Sequence, residues 1–165
     1  NTRDIRSYKT LNKLKFIEFP KLGFQELKKI TKKIFKLKGC ILLIDYGYYR
    51  PNNQNTLQSI MKHKKNELLS NLGKADITAH VNFKLLGEFF LKNNLKIKNL
   101  LSQKEFLENM GIMERAKILS KKMKFSEQSD LYLRMQRLLS PRYMGELFKV
   151  ILAYKFDKDN FAGFK

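Results

Sequence analysis

The segment from Ile41 to Phe83, ILLIDYGYYRPNNQNTLQSIMKHKKNELLSNLGKADITAHVNF, decides the fold class of this chain. It begins as a continuous apolar run and then breaks abruptly into Asp45, Tyr46 and Gly47. A continuous apolar run is typical of a strand that is covered on both faces, as in a parallel sheet. Ligands of open α/β sheets bind beyond the carboxyl ends of such strands. The segment therefore predicts a site where this strand ends.

The start of this segment and the patterns outside it together predict an α/β fold. A short strand is expected from Leu14 to Pro20, an amphipathic helix at residues 22–37 and a buried strand at residues 40–45. A strand, a helix and a strand in this order predict a parallel pair joined by a right-handed crossover. A weaker strand is expected at residues 95–101, and a strand rich in β-forming residues at 146–155.

Several helices are expected in the second half of the chain. Ser102 and Glu105 match the capping-box pattern, so one helix should begin there and end near Gly111. Residues 102–140 then form a helical excursion between two late strands, within one domain that takes in residues 1–165. The other predicted helices lie at residues 84–93, 113–122 and 127–139.

The chain is strongly basic. Its 165 residues include 34 Lys and Arg against 15 Asp and Glu, which gives a net charge of +19. This charge suits an acidic partner surface or a nucleic acid. The lysines are nevertheless spread over helices and loops, which indicates a general compositional bias. A nucleic-acid footprint is therefore the least favoured explanation.

Other features of the composition indicate the cellular compartment. Cys40 opens the apolar strand and is expected to be an inert core thiol in a reducing compartment. With His63 and His80 it makes no convincing zinc ligand set, so we expect no metal. No apolar run approaches the ~20 residues of a membrane span, and no signal-peptide pattern is visible. The bacterial cytoplasm is favoured, with the mitochondrial matrix as the alternative.

The end of the apolar strand supplies the first candidate site residues. Asp45 is either a functional carboxylate at the mouth of the sheet or a turn aspartate that bonds its own backbone. Tyr46 and Tyr48 either line a pocket or lie on the surface. Gly47 is expected to allow a tight turn or a close approach of backbones.

A second group of candidates follows in the GKADITAHVNF run. Asp76, Thr78 and His80 are spaced two apart, which places them on one face of an extended segment. A carboxylate near an imidazole can act as an acid/base pair, although a loop that satisfies its own hydrogen bonds has the same pattern. His63 lies among lysines and has the pattern of a solvated surface histidine.

Five ordered motifs carry a family resemblance: LLIDYGY, TLQSIMKH, GKADITAHVNF, QKEFLENMGI and LLSPRYMGELFKVILAY. The chain resembles the second half of the MidA-like proteins, which are class I S-adenosylmethionine-dependent methyltransferases. The resemblance implies the C-terminal portion of a Rossmann-like methyltransferase sheet with an inserted helical segment. Residues 40–45, 95–101 and 146–155 would be its fifth, sixth and seventh strands, the last antiparallel. Mitochondrial relatives dimethylate an arginine on a subunit of respiratory complex I, so a protein substrate is implied.

The resemblance also implies a missing N-terminal half. No G-x-G-x-x-G pattern is present, and the family's glycine-rich cofactor loop precedes the part that matches. The chain begins at Asn1 without a methionine, so we expect it to be the C-terminal part of a longer protein and inactive alone. At Asn82 the family usually has aspartate, which puts the role of that position in doubt.

Roles can be assigned to the candidates on the methyltransferase hypothesis. Carboxylates that pair with a guanidinium could orient it, and an imidazole could accept the proton that is lost. The catalytic candidates are Asp45, Asp76 and His80; the substrate-binding candidates are Tyr46, Gly47, Tyr48, His63 and Thr78. A non-catalytic assembly factor with the same fold is the alternative, a basic nucleic-acid-binding domain is ranked last, and self-association stays open.

Overall fold

The computed structural model describes residues 2–50, 53–157 and 159–164, which form a mixed α/β structure. A 3-10 turn at Lys9–Leu11 precedes the first long helix. The helices are α1 (Thr2–Arg6), α2 (Lys21–Leu37), α3 (Phe83–Lys92), α4 (Gln103–Asn109), α5 (Ile112–Ser120), α6 (Phe125–Leu139) and α7 (Met144–Leu147). The strands are β1 (Cys40–Tyr48), β2 (Gln58–Met61), β3 (Lys64–Asn66), β4 (Asp76–Thr78), β5 (Val81–Asn82), β6 (Lys96–Ile97), β7 (Leu101–Ser102) and β8 (Phe148–Tyr154).

The main sheet has the order β5-β1-β8-β6, and β7 also pairs with β8. β1 and β8 form its long antiparallel ladder, which runs from Cys40 opposite Tyr154 to Tyr46 opposite Phe148. β1 continues past that ladder and pairs in parallel with β5 at its last two residues. The antiparallel last strand that the family resemblance implies is confirmed.

The predicted strand from Leu14 to Pro20 is wrong. This segment has no regular structure, and its backbone bonds to a side chain instead of a strand: the N–H groups of Lys15 and Phe16 donate to Asn53 Oδ1, at 2.7 and 3.3 Å. The expected parallel pair built on this segment is therefore also wrong. α2 itself is confirmed and lies within a residue of its predicted bounds.

β1 is confirmed as a strand, but it is not buried on both faces. Leu42 and Ile44 keep 43% and 46% of their surface exposed, while Ile41 and Leu43 pack against the core. Cys40 is exposed, so the expectation of a core thiol is wrong. Along Cys40–Tyr46, β8 pairs with one edge of β1, and no described strand pairs with the other.

The core lies between the main sheet and the helices α2 and α3. α3 is the most buried helix, since Phe83, Leu85 and Phe90 are each at most 1% exposed. The ring of Phe89, on the same helix, stacks on Phe24 of α2 with the centroids 4.3 Å apart. Full burial of one such side chain is worth about 1.5–3 kcal/mol, so this packing fixes α3 beneath β1 and β8.

A second sheet, in the order β3-β2-β4, was not predicted. Its hairpin turns at Lys62 and His63, which both have positive φ, at 49° and 63°. Two such residues in sequence give the twist that a tight hairpin requires. This sheet could not be predicted from the sequence because β3 consists of lysine and asparagine, and both residue types are depleted in strands.

The late elements follow the sequence with small shifts. The capping box is confirmed: Ser102 Oγ accepts the N–H of Glu105 at 3.2 Å, and Glu105 Oε2 accepts the N–H of Ser102 at 2.7 Å. The strand expected at residues 95–101 is two short strands, β6 and β7. The strand expected at 146–155 is β8, which begins only after α7 ends. Within the described ranges, no helix combines the length and apolar character needed to cross a bilayer.

Candidate functional site

A cavity of about 690 Å³ lies at the carboxyl end of β1. Its apolar wall comes from α2, α3 and β1, including Phe24, Leu27 and Leu43. Polar side chains from four segments are added to this wall: Glu18, Asp45, Asn55, His80 and Asn82. The cavity is therefore an apolar pocket with several convergent polar groups, the form that ligand sites usually take.

Asp45 is exposed and lies at the rim of this cavity. Its Oδ1 accepts the backbone N–H of the next residue, Tyr46, at 2.8 Å. β1 continues past Asp45 to Tyr48, so the predicted end of the strand at Asp45 is wrong. The Tyr46 ring packs edge-on against the rings of His80 and Phe148, with centroids 5.5 and 5.8 Å away. Tyr46 thus contacts His80, and Asp45 and His80 line the same cavity.

His80 is half-buried and is held through its backbone. Its N–H donates to Thr56 Oγ1 at 2.9 Å. Thr56 in turn donates twice to Glu18, from its N–H to Oε1 at 2.9 Å and from its hydroxyl to Oε2 at 2.7 Å. A continuous chain of hydrogen bonds therefore connects the Glu18 carboxylate to the backbone of His80.

Tyr48 and Asn82 form a second polar pair beside the cavity. Asn82 is the N-cap of α3, and its Oδ1 accepts the N–H of Leu85 at 3.0 Å. Burial, together with the negative charge of Glu18, raises the pKa of Tyr48, while a hydrogen bond from the Asn82 side chain opposes that rise. The net direction is upward, so Tyr48 stays protonated at neutral pH.

Gly47 allows β1 to approach β5 closely. A Cβ at this position would collide with the carbonyl oxygen of Val81 and would come within 2.9 Å of the Phe83 ring. The close backbone approach predicted for this glycine is confirmed. It sets the distance between the strand that carries Asp45 and the segment that carries His80.

Of the predicted site residues, Asp45 and His80 line the cavity, Tyr46, Gly47 and Tyr48 lie beside it on β1, and three others lie elsewhere. Asp76 and Thr78 are on β4, where they pair with Ile60 and Gln58 of the small sheet, and neither lines the cavity. His63 is at the tip of the β2–β3 hairpin. The structure therefore separates Asp76 from His80, and the roles of these three residues stay predictions.

Glu18 and Thr56 are the site residues that sequence reasoning missed. Glu18 is a single acid within the run Phe16–Pro20, and an isolated carboxylate among apolar residues is a signal that could have identified it. Thr56 gave no such signal, because it follows a polar loop. Its role is visible only from its contacts across 38 residues to Glu18 and 24 to His80.

The described residues show no cradle for a nucleotide cofactor or a metal. No glycine-rich loop follows a strand anywhere in the sequence. Among the residues that the structure describes, no group of three metal-ligating side chains occurs. The polar groups of the cavity suit an orienting role toward a small cationic or polar group.

The fold and the cavity define a class of protein: an α/β protein of Rossmann-like type with an apolar cavity between its central strand β1 and the helices α2 and α3. Residues 4–101 match a family model described as "Putative S-adenosyl-L-methionine-dependent methyltransferase". This match covers more than half of the chain, and the chain belongs to that family.

Similar curated proteins are named as enzymes of this class. The chain is 32% identical over 124 residues to protein arginine methyltransferase NDUFAF7, mitochondrial, of Xenopus tropicalis, which covers 74% of the chain and 28% of that protein. It is 30% identical over 123 residues to the human protein of the same name, covering 74% of the chain and 27% of that protein. The chain thus spans little more than a quarter of the length of these relatives.

Solved structures from Burkholderia thailandensis have the same fold. An uncharacterised protein matches with a TM-score of 0.73 and 26% identity, covering 86% of this chain and 39% of that one. A second, which is bound to S-adenosyl-homocysteine, matches with a TM-score of 0.67 and 26% identity, covering 81% of this chain and 38% of that one. These matches place the chain in a Rossmann-like, mixed α/β fold.

Proposed function

We propose that this chain forms the acceptor side of an S-adenosylmethionine-dependent methyltransferase that modifies an arginine of a protein. The observation that carries the proposal is the cavity at the end of β1, where Asp45, Glu18 and His80 converge. Membership of the methyltransferase family supports the reaction class. The names of the curated relatives support arginine as the acceptor.

The residues of the cavity suit the handling of a guanidinium. Arginine stays protonated, so it must be oriented and its charge drawn away from the attacking nitrogen. Carboxylates pair with guanidinium in a fork geometry, and we propose this role for Asp45, which lines the cavity. His80 lies in the same cavity and would accept the proton released on transfer. Holding the acceptor in line with the methyl group supplies much of the rate.

The remaining candidates are proposed to contact the acceptor rather than the reacting atoms. Tyr46 and Tyr48 follow the cavity residue Asp45 on β1, and Gly47 keeps β1 and β5 close. Thr78, Asp76 and His63 lie on the small sheet, so we propose that they contact the protein that carries the arginine. S-Adenosylmethionine, when bound, supplies the methyl group as a sulfonium.

A preceding part of a longer protein is proposed to hold the cofactor. The edge of β1 that no described strand covers, together with half-exposed Leu42 and Ile44, supports pairing with a further strand there. Calorimetric titration with S-adenosylmethionine tests this point. Binding is expected by a chain extended upstream and not by the present one; a folded extended chain that fails to bind would contradict it.

The Asp45→Asn variant of the extended protein tests the proposed reaction. Removing the charge should lower methyl transfer to a protein acceptor by about 100-fold, because the guanidinium loses its orienting partner. Asp130→Asn is the matched control, since Asp130 is exposed on α6 away from the cavity. Circular dichroism should be unchanged in both variants. Full activity of Asp45→Asn would contradict the proposal.

A non-catalytic assembly factor remains the alternative function. It predicts partner binding that survives loss of both Asp45 and Asp76, with no methyl transfer by the extended protein. A nucleic-acid role rests only on the net charge of +19 and predicts binding that weakens steeply with salt. The bacterial cytoplasm is the proposed location, with the mitochondrial matrix as the alternative, because the curated relatives are named as mitochondrial.

A further inference from the structure

The carboxylate of Glu18, which lines the cavity, is held by one other residue. Both of its oxygens accept hydrogen bonds from Thr56, at 2.9 and 2.7 Å. These bonds occupy one acceptor position on each oxygen and tie the carboxylate to Thr56. Glu18 therefore differs from Asp45, whose Oδ1 accepts the backbone N–H of the adjacent Tyr46.

Thr56 relays this contact to the catalytic candidate His80. The Thr56 hydroxyl donates its proton to Glu18, so its lone pairs face away from the carboxylate. One of them accepts the N–H of His80 at 2.9 Å. The carboxylate thus fixes the direction of the hydroxyl, and the hydroxyl fixes the backbone of His80.

The same loop is held at a second point. Asn53 Oδ1 accepts the N–H groups of Lys15 and Phe16, which lie three and two residues before Glu18. Two contacts a few residues apart hold loop 53–57 against segment 15–18 as a unit. A shift of this unit would therefore move the backbone of His80, whose ring packs edge-on to Tyr46.

We propose that Glu18 is a positioning residue that sets the place of the His80 imidazole at the cavity, acting through Thr56. This inference rests on the proposed function, in which His80 accepts a proton. Glu18 itself does not touch the acceptor. Its contribution is to keep His80 in reach of the reacting nitrogen, since misplacing a catalytic group by about 1 Å can cost 100-fold in rate.

The experiment uses four variants of the extended protein. Thr56→Val removes the hydroxyl and keeps the side-chain shape, whereas Thr56→Ser keeps the hydroxyl. Glu18→Gln removes the carboxylate charge and one acceptor. Glu26→Gln is the matched control, because Glu26 is an exposed acid on α2 that pairs with Lys29.

Kinetics separate positioning from folding. We expect Thr56→Val and Glu18→Gln to lower kcat about 10-fold with KM for the acceptor nearly unchanged, and Thr56→Ser to keep kcat within about twofold. Glu26→Gln should behave as the unchanged protein. A Thr56→Val variant with the kcat of the unchanged protein would overturn the inference. So would a Thr56→Ser variant whose kcat is no higher than that of Thr56→Val.

Nuclear magnetic resonance tests the same inference without methyl transfer. The Tyr46 ring shifts the ring-proton signals of His80, so displacement of His80 moves those signals toward the values of a free histidine. We expect this change in Glu18→Gln and Thr56→Val, and not in Thr56→Ser. Unchanged His80 signals would overturn the inference, whether or not the protein is active. If the signals shift but the extended protein shows no methyl transfer, the positioning by Glu18 is supported and only the proposed function is contradicted.

Discussion

The carboxyl end of β1 and the small sheet β3-β2-β4 both carry predicted site residues, and they differ in what the fold does with them. In the second half of β1, Asp45 lines one cavity with His80, and Tyr46 packs against the His80 ring. On the small sheet, Asp76 pairs with Ile60 and lies away from that cavity. Spacing of two along the chain places residues on one face only within a single strand, and here the strand ends at Thr78. The chain then crosses to the main sheet, and His80 goes with it.

The largest expected effect compares the two carboxylates directly. Asp45→Asn should reduce methyl transfer about 100-fold, while Asp76→Asn should mainly raise KM for the protein acceptor. The measurement is initial-rate kinetics on the extended protein at varied acceptor concentration. A kcat loss for Asp76→Asn as large as that for Asp45→Asn would indicate that Asp76 acts on the reacting atoms. The two regions would then not differ in function.

A second prediction concerns the contact that builds the cavity. Gly47→Ala would force a Cβ into the Val81 carbonyl and the Phe83 ring, so it should lower the free energy of unfolding by about 3 kcal/mol. Gly39→Ala is the control, because nothing lies within 4 Å of a Cβ there. Urea denaturation of both variants measures the difference. Equal stability of the two would show that β1 and β5 do not require this close approach.

The third prediction concerns the position where the family usually has aspartate. Asn82→Ala should cost about 1 kcal/mol in unfolding free energy, since it removes the N-cap of α3. Asn82→Asp should keep the cap, because Asn and Asp are similar N-caps. It should raise the pKa of Tyr48 further, as the opposing amide hydrogen bond is lost and a negative charge is added. Ultraviolet titration of tyrosine in both variants would detect this; a lower Tyr48 pKa in Asn82→Asp would contradict it.

The smallest expected effect lies in the capping box of α4, away from the cavity. The N–H of Ser102 lowers the pKa of Glu105, with further lowering by the Ser102 hydroxyl and nearby lysines, against a rise from burial. A lowered pKa in the folded state stabilises the fold above the unfolded-state pKa, and this stabilisation is lost as pH falls through the folded-state pKa. Glu105→Gln should therefore lower the melting temperature slightly at pH 7, with a smaller difference near pH 3. A constant difference across that range would rule out the charge as the cause.

Sequence patterns predicted the helices well and the strands less well. α2 and the capped start of α4 could be predicted because spacing and caps are local properties. The nature of β1 could not, since an apolar run does not show whether one face or both are covered. Leu14–Pro20 has strand-like composition, but its backbone finds an acceptor in Asn53 instead of a neighbouring strand.

The candidate site was predicted in part for the same reason. Asp45, Tyr46 and His80 were candidates because of an apolar run and a polar run; the fold brings Asp45 and His80 to one cavity and packs Tyr46 against His80. Glu18 and Thr56 depend on contacts between distant parts of the chain, which no local pattern contains. Asn82 had an uncertain role in the sequence, and its contact with Leu85 shows that it caps α3.

The exposed thiol of Cys40 has a practical use. Cys40 is the single cysteine of the chain and begins the part of β1 whose second edge carries no described strand. A thiol-reactive dye placed there would report the state of that edge directly. Slower labelling in the extended protein than in the present chain would indicate that the edge is covered, and equal rates would indicate that it stays open to solvent.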